Sequence, residues 1–141
     1  MTPLLLAALI AFPIPPLGAT LDSSMPAPVI SEMETTQLPA SGLATYYAEG
    51  VFETVIRNQI AYGNIQPGDC PQCVGYAAML WPDDVGRTVC VQGLRLLVVD
   101  VAAGHHRAGL IAKGWVIDLQ WEVWQALGYP NAPTKTTVTE C

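Results

Sequence analysis

Between Val74 and Leu119 the chain passes through a series of short β-branched and apolar stretches, each closed off by turn residues. VGYAAML ends at Trp81-Pro82-Asp83-Asp84, GRTVCVQ at Gly93, RLLVVDV before Gly104-His105-His106, and WVIDL before a short helical run. Val, Ile and aromatic residues fit a pleated, half-buried surface, and Pro, Gly and Asp interrupt it. A chain assembled from such pieces is mainly β. GRTVCVQ alternates, with Val89 and Val91 on one face and Cys90 on the other. RLLVVDV is almost wholly apolar, which predicts a strand covered on both faces. Asp100 lies inside that run, so its carboxylate needs a hydrogen-bond partner.

The same reading extends to either side. Gly42 to Tyr47 is small, aromatic and β-branched, a first strand. Glu49 to Tyr62 places Phe52, Val55, Ile56 and Ile60 at helical spacing, with Gly63 as its C-cap and Glu49 and Glu53 on a solvated face. Residues 102 to 114 form a loop or short helix. Gln120 to Leu127 is a helix of about two turns closed by Gly128, with Asp118 or a neighbour near its N-terminus. Trp121 and Trp124, three apart, face the core. The expected domain is 41–130, and the polar residues 131–141 are expected to be a loose tail.

Residues 1–19 carry no charged side chain, and the apolar run Leu4–Phe12 is followed by Pro13, Pro15, Pro16 and small residues. That is the order of a secretory signal peptide, and the run is too short for the ~20 residues of a membrane span. No stable membrane span is expected after processing. Thr20 stands where a lipoprotein signal has Cys. Residues 20–40 read as a flexible spacer. The chain is expected to be secreted or to reside in the cell envelope. There, the four cysteines, Cys70, Cys73, Cys90 and Cys141, are disulfide candidates. Four cysteines permit three pairings; Cys70 or Cys73 with Cys90 is favoured, leaving Cys141 the remaining partner or free. The net charge is −6 and the six cations are scattered. Neutralising several phosphates at once needs clustered cations, so nucleic acid is excluded as a partner.

Val98 to Tyr129 carries a strand ending in Asp100, a loop with Arg107-Ala108-Gly109, the run Gly114-Trp115-Val116-Ile117-Asp118-Leu119 and a helix ending Ala126-Leu127-Gly128. With Gly42-Leu43-Ala44-Thr45-Tyr46-Tyr47, this resembles the double-psi β-barrel domain of the rare lipoprotein A and expansin-like group. The resemblance covers about 90 residues by the span 41–130 and is more specific in its second half. It implies a six-stranded double-psi β-barrel with one or two short helices and a polar groove. It also implies a polysaccharide or peptidoglycan partner and functional acids at Asp100 and Asp118. The group's Glu has no counterpart here, and Met79 stands at the position of its His.

Tyr46 and Tyr47 alternate on a strand, so one of them points away from the core. That ring is a candidate for stacking on a sugar. His105 and Arg107, from the loop, complete the candidate ligand-binding set with Asp100 and Asp118. Each aspartate also has a structural reading: Asp100 as an acceptor for its own loop, Asp118 as a helix cap. Adjacent His105 and His106 lack a third ligand at usual spacing, so no metal and no cofactor are expected. Three functions stay open: polysaccharide binding, glycan cleavage with Asp100 as the acid, and a structural or protein-partner module.

Overall fold

The computed structural model describes residues 34–141; the expected signal segment 1–19 and spacer residues 20–33 lie outside it. The strands are β1 (Ala40–Tyr46), β2 (Gly75–Met79), β3 (Thr88–Val91), β4 (Leu94–Val101), β5 (Trp115–Leu119) and β6 (Thr134–Thr139). The helices are α1 (Val51–Ala61), α2 (Gly104–Lys113) and α3 (Trp121–Leu127). The six strands form a closed barrel in the order β1-β5-β2-β4-β3-β6. The mainly β six-stranded barrel is as expected, with three short helices rather than one or two. No helix among the described residues is long and apolar enough to cross a membrane.

Two strand pairs are parallel, β1 with β5 and β2 with β4, and the others are antiparallel. Each parallel pair carries a register step, between Leu43 and Ala44 in β1 and between Ala77 and Ala78 in β2. Period-two alternation fills the barrel: Ala44, Ala77, Val89, Val91, Leu96, Val98, Ile117, Leu119 and Val138 are all fully buried in one cluster. β4 is buried on both faces, as its sequence requires. Leu96 and Val98 join the barrel interior, while Leu97 and Val99 meet Phe52 and Ile65 in a second cluster under α1. Phe52 is α1's one fully buried residue, and its burial is worth about 1.5–3 kcal/mol.

α3 packs on the barrel's core cluster through Val123 and Trp124. Trp124 is buried and its Nε1 donates to Pro130 O at 3.1 Å, while Trp121 is half-buried against the same cluster. α3 lies so close to β2 that a Cβ on Gly75 would meet Val123 and Gln120.

Two expectations are corrected at the ends of the domain. Residues 131–141 are not a loose tail: Thr134–Thr139 is β6, which bridges β1 and β3 and closes the barrel. Its alternation, Thr136 and Val138 inward, is hidden by threonines, which read as polar until one face is buried. The last spacer residues are also held. Glu34 N donates to Asp83 Oδ2 at 2.7 Å, and Thr36 N and Oγ1 donate to Asp84 at 2.9 and 2.8 Å.

The cysteine pairing differs as well. Cys70 pairs with Cys73, and Cys90 with Cys141. The loop from Cys70 to Cys73 turns back on itself through Cys73 N–H to Cys70 O, so the two side chains meet without help from β3. Cys90 instead faces Thr139 across the β3–β6 ladder, which brings it to Cys141.

Candidate functional site

Strand register sets the site. Thr45 on β1 lies opposite Asp118 on β5, Asp118 lies opposite Ala78 on β2, and Ala78 lies opposite Asp100 on β4. Directly opposed residues share a face. Their neighbours Ala44, Ala77 and Leu119 fill the interior, so this row faces outward. Adjacent strands lie about 4.8 Å apart, which puts the two aspartate backbones roughly 10 Å apart with the small Ala78 between them. Both acids singled out from the sequence thus belong to one polar row.

Tyr47 follows Thr45 by two residues and stands on the same side. Its hydroxyl donates to Asp100 Oδ2 at 2.7 Å, and its ring stacks on Phe52 with centroids 4.3 Å apart. Asp100 Oδ1 accepts from Val101 N–H at 2.9 Å. Asp118 is held from the other end of the row. Trp115 Nε1 donates to Thr45 Oγ1 at 2.7 Å, and that hydroxyl donates to Asp118 Oδ1 at 3.1 Å. Because the indole N–H occupies a lone pair of Thr45, the threonine's proton is directed at Asp118. The second carboxyl oxygen of Asp118 has no hydrogen-bond partner among the described residues.

This row opens into a groove of about 610 Å³ at Thr45, Ala78 and Asp118, whereas Asp100, expected in the groove, does not line it and touches it only through Tyr47. Thr45, Tyr47, Ala78 and Asp118 line one side, and α2 supplies His105, His106, Leu110 and Lys113 on the other. Burial raises the Asp118 carboxyl to about 6 despite the lowering hydrogen bond from Thr45, and the charge of Asp100 adds to the rise. Burial, then the hydrogen bond to Asp100 and the charges of both aspartates, hold the Tyr47 phenol protonated well above its ordinary range.

Not every residue expected here arrives. Tyr46 stays exposed but lies outside the groove, resting against Trp121 and Trp124 with ring centroids 4.9 and 5.0 Å away. Of the tyrosine pair, the one that reaches the groove is therefore Tyr47, and one of its ring faces is already covered by Phe52. Arg107 is turned away: its Nε donates to Leu80 O at 2.7 Å and its guanidinium lies 4.6 Å from the centre of the Trp81 ring. The hydrogen bond at Nε and the cation–π contact hold the guanidinium against Trp81 and Leu80, away from the groove lining. His105 does line the groove, with His106 beside it at 4.0 Å between ring centroids; both sit on the first turn of α2. Among the described residues no group of three His, Cys, Asp or Glu side chains is placed to hold a metal.

Asp118 does not cap α3. The N-cap position is Gln120, and its Oε1 accepts from Tyr76 N–H at 3.0 Å instead. Sequence reasoning passed over Thr45, although its spacing from Tyr47 puts the two on one strand face. It also passed over Asp84, fully buried, which accepts from Thr36, from Trp81 N–H at 3.0 Å and from Arg87 Nη1 at 2.9 Å. Comparison with family models, with curated proteins and with solved structures gives no match.

Proposed function

We propose that this chain is an exported double-psi barrel of the rare lipoprotein A and expansin-like kind, which binds a cell-wall or extracellular polysaccharide in the groove over Asp118. The observation that carries this reading is the in-register row Thr45, Asp118, Ala78 lining an open groove, with Asp100, next in the row, holding the groove residue Tyr47 by its hydroxyl. Fixed hydroxyl and carboxyl groups on a rigid barrel wall suit recognition of sugar hydroxyls, and Ala78 leaves the middle of the row low enough for a ring to settle. Two disulfides agree with an oxidising compartment outside the cytoplasm.

A second reading, glycan cleavage, is favoured by one feature. A carboxyl held at about 6 stays partly protonated near neutrality, as a general acid must. In this reading the acid is Asp118 rather than Asp100, both of whose oxygens already accept hydrogen bonds. Asp118 would give its proton to the leaving glycosidic oxygen as the C–O bond breaks, and water or the sugar's own 6-hydroxyl would add to the anomeric carbon and release a proton in return.

One experiment separates the two. The purified chain is mixed with insoluble peptidoglycan and with cellulose, and the supernatant is read by mass spectrometry. Protein in the pellet with no soluble fragments supports binding. Soluble fragments that vanish with Asp118→Asn establish cleavage. An empty pellet without products rejects both readings for peptidoglycan and cellulose.

A further inference from the structure

A second cleft, of about 930 Å³, adjoins the groove and shares Leu43 and Lys113 with it. Its composition is unusual for this chain. Acids outnumber cations twelve to six overall, yet no carboxylate lines this cleft, and both of the chain's lysines, Lys113 and Lys135, do. Elsewhere, Arg87 is engaged by Asp84 and Glu140, and Arg107 by Leu80 and Trp81. The remaining polar lining is uncharged: the hydroxyls of Ser41, Thr136, Thr137 and Thr139 and the amide of Gln92. The floor is kept open by glycines, and Gly93 and Gly114 have the positive φ values that disfavour a side chain. Lysines amid hydroxyls and an amide, with no competing acid, suit a ligand that is both polyhydroxylated and anionic. Because the cleft continues the Asp118 groove through Leu43 and Lys113, one extended molecule can occupy both.

We propose that this second cleft takes a carboxylate-bearing sugar of the same strand that lies over Asp118, so that the bound polysaccharide is acidic and its anionic groups sit on Lys113 and Lys135. This rests on the polysaccharide-binding reading and adds the ligand's charge to it.

The test uses oligogalacturonate, oligomannuronate and hyaluronan fragments, each against its methyl-esterified counterpart, with the whole chain and calorimetric titration. Esterification removes the charge and keeps the hydroxyl pattern. At least one acid form is expected to bind roughly three- to tenfold tighter than its ester at low salt, the preference fading at about 0.5 M salt. Lys113→Gln with Lys135→Gln, both at exposed positions, is expected to abolish that preference. Equal affinity for acid and ester overturns the inference and leaves the polysaccharide reading standing, as does a preference that survives the double substitution. If no acid or ester form binds, the inference is rejected; if the peptidoglycan and cellulose pellets are empty too, the polysaccharide reading falls with it.

Discussion

Asp118 holds the least comfortable charge in the groove. Its carboxyl titrates at about 6 in the folded chain against 3.8 when free, so between those values the folded state holds more protons than the unfolded one. Stability therefore falls as pH rises through that window, and the whole loss, up to about 3 kcal/mol, is present above pH ~6. Asp118→Asn keeps an oxygen for Thr45 and removes the charge. It is expected to raise the melting temperature at pH 7.5 and to leave it unchanged near pH 3, which thermal denaturation across pH measures directly. Asp84 is the opposite case. Fully buried and bonded to Thr36, Trp81 and Arg87, it ties the segment before β1 to the turn after β2. Asp84→Ala strands those donors and the Arg87 charge, and is expected to cost about 3–5 kcal/mol in denaturant titration. Tyr47→Phe removes the donor to Asp100 without disturbing the stack on Phe52. A loss of about 1–2 kcal/mol is expected, again by denaturant titration, from a half-buried carboxylate left short of a partner.

At the scale of elements, the two disulfides divide their work by loop length. Cys70 and Cys73 are 3 apart in sequence and Cys90 and Cys141 are 51 apart. Chain-entropy arguments give the short bridge about 2 kcal/mol and the long one about 4 kcal/mol. Cys90→Ser with Cys141→Ser is therefore expected to lower the melting temperature more than Cys70→Ser with Cys73→Ser; an equal or reversed order would show that the local loop, not barrel closure, limits stability. β6 matters for the same reason. It pairs with both β1 and β3, and without it each would present an open edge that invites pairing with another chain. Much of this level was legible in the sequence. β3, β4, β5, α1 and α3 announce themselves by alternation, by a run buried on both faces, or by helical spacing between Gly stops. β6 did not, because TKTTVT has a single aliphatic residue and its inward threonine looks like any surface threonine.

At the scale of the whole molecule, barrel closure decides which local signals become a site. Asp100 and Asp118 were visible as acids inside apolar strands, and burial in an apolar run already demands a partner for each. Local pattern determined the mainly β character, the positions of most strands and helices, the two carboxylates and the presence of one tyrosine facing outward. Only the tertiary structure decided the rest. The strand order sets Ala78 between the two acids, aims Thr45 at Asp118 and Tyr47 at Asp100, turns Arg107 onto Trp81, and gathers both lysines on one cleft. The physical reason is that alternation along a strand fixes which face a side chain takes, whereas its partner depends on register between strands far apart in sequence. That register is set by closing the barrel, and no single stretch of the chain contains it.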